Sequence, residues 1–422
     1  MYKGQTLDWL KLDNAGKIFA ATSGKRNTSV FRFSCELFEQ VKPDILQQAL
    51  TLTVEEFPHF LSVLRSGLFW YYLESSALRP TVHMENRRVC SPLYNRKKHG
   101  LLFDVSFYKK RINLEVYHAL SDGTGVLHFL KTLICYYFIL MYPEQDNEVL
   151  YNNVKQELPF SGRTEDSFRK YSGKDKRTRP LKHLKAYRIK GEKTYRGNYH
   201  ATEGIMSCDE VLKRAKEYNT TLTIFLSALL IKAIHQERPK NKEHLPIVLT
   251  VPVDLRKYFP SDTVRNFFGN IRVSYSVHKD GERIEDIIQV IKKSFEEELT
   301  ERKLNQRLNR LMAYEKNKIL RVVPLFIKSL ILKFVRKLSD MEETVVFSNV
   351  GNVQLPDILA SYIDRINVFV STSGLQLCAC SYEDHLSTTF SSVFLDTNVQ
   401  RNFYRSLSEM GIHIDVRCNF EY

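Results

Sequence analysis

The chain lacks any uninterrupted apolar run near the ~18 residues that a spanning helix needs, so no membrane-crossing segment is expected. It has no C-x-x-C pair, and its seven cysteines, from Cys35 to Cys418, are odd in number and scattered. That argues against a disulfide framework and against a zinc ribbon. Cys378 and Cys380 share one face of a predicted strand but have no partners in sequence to complete a zinc site. The pattern points to a reducing compartment. The stretch from Met1 to Trp9 has no apolar leader region. No internal repeat and no low-complexity tract occurs, which excludes solenoids and disordered polar tracts. The expected location is cytoplasmic, with peripheral membrane contact left open.

What is present is core-forming sequence. The 422 residues are 43% hydrophobic, enough for two domains or one large two-lobed unit. Twenty-six Phe and 22 Tyr can fill a core or line an apolar tunnel. The net charge of +14 attracts polyanions: nucleic acid, anionic lipid or a phosphate-bearing ligand. Basic residues concentrate between Arg163 and Arg196, among them Lys174, Lys176, Arg177, Arg179 and Lys182. No zinc-finger or RNA-binding signature accompanies them, so nucleic acid is not an expected partner. The run reads as a solvated connector over 161–200; the alternative is a rim that attracts ligand phosphates. It separates an N-terminal unit, 1–160, from a C-terminal one, 201–422.

Periodicity predicts mixed elements in both units. In the first, strands are expected at Val30–Phe33, Leu68–Leu73, Leu102–Tyr108 and Arg111–Tyr117, and helices from Pro43 and from Thr124 to about Tyr142. In the second, helices are expected at Cys208–Tyr218, Thr221–Gln236, Ile284–Leu299, Arg302–Tyr314 and Val399–Met410. Strands are expected at Ile247–Val253, Thr344–Phe347, Ile366–Ser371, Leu375–Tyr382, Leu386–Phe394 and Ile412–Cys418. Ile319–Leu338 carries an apolar stripe with Lys328, Lys333, Arg336 and Lys337 off it. Such a helix either docks its stripe on the core, the preferred reading, or lies on a membrane. The fold class is α/β, with α+β layering.

One hexapeptide stands out: His118-Ala119-Leu120-Ser121-Asp122-Gly123, an H-x-x-x-D-G pattern. Ile112, Leu114 and Val116 alternate with Asn113, Glu115 and Tyr117, and His118 continues the apolar parity, so its imidazole is expected to point inward. A His at a strand end before a turn and a helix is well placed to serve as a general base. The reading ranked second is a core histidine, with Asp122 an ordinary helix N-cap. A His–Asp metal pair is disfavoured, because a four-residue spacing suits ligands only on a helix.

With three further segments, this motif resembles the chloramphenicol-acetyltransferase-like superfamily of acyltransferases and condensation domains. The segments are Val251-Pro252-Val253-Asp254-Leu255-Arg256, Arg265-Asn266-Phe267-Phe268-Gly269-Asn270 and Ser348-Asn349-Val350-Gly351. Their order extends the resemblance over most of the chain, and the nearest subgroup is the bacterial alcohol-acetyltransferase-like proteins. Two departures stand out. Tyr117 occupies the place of the first of two adjacent histidines in the condensation and wax-ester branches, and no D-F-G-W-G motif is present. No attached carrier domain is expected, which disfavours an assembly-line condensation module.

The resemblance implies two lobes, each a mixed sheet flanked by helices, with an active-site tunnel between them. It implies transfer of an acyl group from acyl-CoA to a small hydroxyl- or amine-bearing acceptor, with His118 as base. Asp122 would pair with Arg256, and Gly123 would permit the backbone bend. Ser348, Asn349 and Asn270 would stabilise the oxyanion, and Tyr117 and Ser121 would line the substrate site. No metal, resident cofactor or obligate protein partner is expected, and acyl-CoA enters as co-substrate. The alternatives are a non-catalytic relative that binds an acyl ligand and a condensation-type enzyme using a carrier-protein donor.

Overall fold

The computed structural model describes residues 9–145, 147–156, 164–173, 185–195, 197–317 and 322–419. Among the described residues the strands form three sheets. A five-stranded sheet runs in the order Ile363–Val370, Val30–Leu37, Arg111–Tyr117, Phe103–Tyr108, His83–Met84. A seven-stranded sheet runs Phe268–Tyr275, Ile247–Asp254, Val345–Asn352, Leu375–Tyr382, His385–Ser392, His200–Ser207, Asp415–Cys418. Val345–Asn352 is parallel to both of its neighbours and the other pairs in this sheet are antiparallel, so it is mixed. A small third sheet joins Trp9–Lys11, Tyr71–Ser75 and Ser62–Ser66. With helices packed against the larger sheets, the architecture is two-lobed and mixed α/β.

The chain order does not respect the lobes. Ile363–Val370 leaves the C-terminal half and pairs antiparallel with Val30–Leu37, placing Ile366 opposite Cys35 and Val368 opposite Phe33. A C-terminal lobe of 201–422 is therefore not a spatial unit: the N-terminal sheet is completed by a strand from beyond residue 360. Of the basic connector, residues 161–163, 174–184 and 196 lie outside the described residues.

Arg111–Tyr117 pairs with Phe103–Tyr108 through a turn at Lys109 and Lys110, matching Phe103 to Val116 and Tyr108 to Arg111. Its expected polar face is not solvated. Asn113, Glu115 and Tyr117 are as buried as Ile112, Leu114 and Val116. The strand is central and covered on both sides, so its polar groups find partners inside. Arg32 Nε donates to Glu115 Oε1 at 2.9 Å, and the Cys90 amide donates to the same oxygen at 2.6 Å.

Other expectations are adjusted by exposure and turns. The segment Leu68–Leu73 is not one strand: Gly67 N–H bonds Trp70 O, and this hairpin tip joins Ser62–Ser66 to Tyr71–Ser75. The strands Trp9–Lys11, His200–Ser207 and Phe268–Tyr275 and the helix Asn14–Thr22 were not anticipated. The helix Gly123–Met141 is long and apolar enough to cross a membrane, yet it is mostly buried within the fold. It packs on Pro43–Glu56 as a core helix. Six cysteines are buried and Cys418 is exposed; all are free thiols.

The basic helix, described over Leu325–Asp340, reverses the expected docking. Its buried positions are Lys328 and Ser329, while Phe326, Leu330, Ile331 and Phe334 face outward. Lys328 Nζ donates to Phe69 O at 3.1 Å and lies 3.6 Å from the centre of the Trp70 ring. The polar edge finds partners inward, and the apolar stripe is left outside.

Candidate active site

His118 follows the central strand directly. Its amide donates to Ser29 O at 2.8 Å, which ties the strand end to the loop before Val30–Leu37. Ser29 holds this position with φ 54°, in the left-handed region that non-glycine residues seldom adopt. The imidazole is half-buried in an aromatic cage. Phe19 stacks on it at 4.2 Å and 17°, Phe31 lies at 4.7 Å, and Phe268 from the other lobe lies at 5.7 Å.

Asn266 fixes the ring. Its Nδ2 donates to His118 O at 3.0 Å and to Asp13 Oδ2 at 3.2 Å. Both amide hydrogens are thereby engaged, and Oδ1 remains as the acceptor facing His118 Nδ1 at 3.1 Å. With this amide orientation, assigned from the hydrogen-bond network, Nδ1 carries the hydrogen and Nε2 the lone pair. The ring also interacts with the backbone of His118 and Ser121. Burial pushes the His118 pKa below the ordinary histidine value, against the opposing pull of the Asp122 charge and the bond to Asn266. Burial thus favours the neutral ring.

Asp122 combines the two roles that the sequence left as alternatives. It caps Gly123–Met141, with Oδ1 accepting from Gly125 N–H at 3.0 Å. The same carboxylate receives Arg256 Nη1 at 3.0 Å and Nη2 at 3.2 Å, and the Phe267 amide at 2.8 Å. Arg256 also reaches Asp254 Oδ1 at 2.9 Å, Thr263 O at 2.9 Å and Arg265 O at 2.7 Å. Burial alone would lower the Arg256 pKa; the charges of Asp122 and Asp254 outweigh it and raise it. The pair is a clamp between the His118 turn and the 254–267 loop.

The remaining expected residues are placed less centrally. Gly123 opens the helix without positive φ, and a Cβ there would meet nothing within 4 Å, so the bend does not require glycine at that position. Gly125 is the constrained one: a Cβ would stand 2.0 Å from Val264 O. Ser121 Oγ bonds Val264 O, and Tyr117 OH meets Ser23 Oγ at 2.9 Å and Phe19 O at 3.1 Å; both side chains are buried and engaged within the protein. Asn349 Nδ2 donates to Thr223 Oγ1 at 2.9 Å and its Oδ1 accepts from Gly351 N–H at 2.9 Å. Ser348 is half-buried beside it on the same strand. Asn270 is exposed, two residues beyond Phe268 and on the same pleat face.

Asp13, Asn266 and Gly125 were not singled out from the sequence. Asp13 stands before Asn14–Thr22 as its N-cap, a pattern readable in principle. The Asn266 contact to His118 spans 148 positions and has no periodic signal. A cavity of about 520 Å³ opens beside this region, lined by Thr22, Lys25, Arg26, Ser29, Lys333 and Lys337 among others. Among the described residues no group of three or more His, Cys, Asp or Glu could hold a metal. Burial pushes the Cys378 thiol up to about 12, away from nucleophilic reactivity.

No protein-family model matches the sequence, and no curated protein matches it. Solved structures do match in fold. The trichothecene 15-O-acetyltransferase of Fusarium sporotrichioides superposes with TM-score 0.65 at 12% identity, over 97% of this chain and 96% of that one. The first condensation domain of the CDA synthetase gives TM-score 0.61 at 14% identity, over 96% and 97%. TRI101 of F. sporotrichioides, crystallised with coenzyme A and T-2, gives 0.58 at 10% identity, over 97% and 99%. At such identities the likeness is one of fold, and the chain has the two-lobed fold of these solved structures.

Proposed function

We propose that the protein is an acyltransferase of the alcohol-acetyltransferase kind, moving an acyl group from acyl-CoA to an alcohol or amine. The observation that supports this reading is His118, stacked on Phe19 and engaged at Nδ1 by Asn266, so that Nε2 is the nitrogen assigned the role of base. Nε2 removes the proton from the acceptor O–H or N–H as that atom attacks the thioester carbonyl. The tetrahedral intermediate collapses, the C–S bond breaks, and the imidazolium returns the proton to the departing sulfur. Ser348 is the first candidate for oxyanion stabilisation on its strand, because the Asn349 amide is occupied by Thr223; Asn270 is the second. Asp122 and Arg256 hold the turn and do not touch the reacting atoms.

Coenzyme A as donor is supported by the fold likeness to a protein crystallised with it. The likeness to a condensation domain favours a second reading, in which the donor thioester sits on a carrier protein. The test is thiol release from a panel of acyl-CoAs with alcohol and amine acceptors, run beside acyl-pantetheinyl carrier. His118→Ala should lower turnover by ~10²–10⁴-fold with the melting temperature retained. Near wild-type turnover in that variant removes the base assignment. Absence of thiol release from every donor favours a non-catalytic relative.

A further inference from the structure

The helix Leu325–Asp340 is inside out. Phe326 is 68% exposed, Leu330 64%, Phe334 63% and Val335 52%, whereas Lys328 and Ser329 face the protein. The row continues past the helix start. Leu325 N–H bonds Leu68 O at 2.8 Å, so the hairpin tip, with Leu68 72% exposed, lies beside Phe326. A contiguous apolar face of this kind marks an interaction surface. Cations edge it. Lys333 and Lys337 are exposed on the helix, and Lys25 and Arg26 face the same helix across the 520 Å³ cavity.

We propose that this face is a membrane-docking surface, in which the helix lies in the plane of an anionic bilayer with its apolar row in the acyl boundary. The charge selects the occupant. A second copy would bring together two chains of +14 and two sets of the same edge lysines. An anionic lipid surface complements both the cations and the apolar row. The helix is 16 residues long and interrupted by Lys328, Lys333 and Lys337, which suits lying on a bilayer and not crossing it. The hairpin tip adds a second apolar anchor at the helix N-terminus. The proposal does not depend on the acyl-transfer reading.

The test uses the full chain with vesicles of phosphatidylcholine alone and of an equimolar mixture with phosphatidylglycerol, read by flotation. The expected result is capture by the anionic vesicles and weak capture by the neutral ones. Capture should weaken as salt shortens the screening length from about 10 Å at 0.1 M to about 3 Å at 1 M. Lys333→Gln and Lys337→Gln should each reduce partition about fivefold, and Leu330→Ser with Phe334→Ser by at least ~10-fold. The serine pair should leave the melting temperature unchanged, because the wild-type side chains are already in solvent. Four results would overturn the proposal: no capture by anionic vesicles; equal capture of the serine variant; a lower melting temperature in that variant, which would mean that the chain itself covers the face; or a wild-type dimer that the variant converts to monomer.

Discussion

The amide of Asn266 decides which nitrogen of His118 carries the hydrogen, so a change of one atom there should be read by the pH profile. Asn266→Asp, made together with Asp13→Asn so that no second carboxylate stands 3.2 Å away, places a negative charge about 3 Å from Nδ1 on the geometry of the present contact. An opposite charge at such range stabilises imidazolium and raises its pKa by roughly 1–3 units. Since only the neutral ring accepts a proton, the acid limb of kcat/KM should move to higher pH by that amount. Asn266→Ala should lower kcat without moving the limb in that direction. An unmoved limb in the aspartate variant would show that Asn266 does not govern the base. Stability has its own sign. The His118 pKa is lowered in the folded state, so as pH falls through the ordinary histidine range the unfolded chain takes up the proton first and stability declines. At this scale the sequence was partly legible. His118, Asp122 and Arg256 stand in recognisable segments, and the ion pair lies within 3.0 Å. Asn266 stood in one of those segments without a role, and Gly123 was given the constraint that belongs to Gly125. Side-chain contacts across 148 positions and close approaches of backbone leave no periodic trace.

The turn between the strand Arg111–Tyr117 and the helix Gly123–Met141 is held at one point, the Asp122 carboxylate, by the helix N-terminus, Arg256 and the Phe267 amide. Removing Arg256 strands the buried Asp122 carboxylate and should cost roughly 3–5 kcal/mol, whereas Asp122→Asn leaves Arg256 its bond to Asp254 and should cost less. Asp122→Asn and Arg256→Ala should each lower the melting temperature, and the double variant should lose less than their sum. Additive losses in that cycle would mean that the pair is not energetically coupled. Elements with a dense apolar run or face, such as Pro43–Glu56, Leu222–Glu237 and Leu375–Tyr382, lie close to their predicted limits. The failures have physical causes. Leu68 and Phe69 are apolar but occupy a hairpin tip, and Arg111–Tyr117 hides polar partners on a face that alternation assigns to water. The apolar stripe at 325–338 was legible, but its direction was not, because the same pattern serves a helix that turns outward.

At the scale of the molecule, the lobes are stitched by Ile363–Val370, which pairs with Val30–Leu37 over seven registered positions. The two-lobed class was legible from alternating elements; the exchange of a strand was not, since pairing partners are a property of the fold and not of either segment. A fragment of residues 1–200 would expose Val30–Leu37 as an unpaired, apolar sheet edge. It should aggregate or lack a cooperative melting transition, and a monomeric fragment with a sharp transition would show the strand to be dispensable. The same stitch sets a schedule for synthesis. Val30–Leu37 leaves the ribosome more than three hundred residues before the strand that completes its sheet. At ~5–20 residues per second, the first lobe waits tens of seconds with an open edge. An edge open for that long is exposed to holding chaperones, and slow codons before residue 363 would lengthen the exposure.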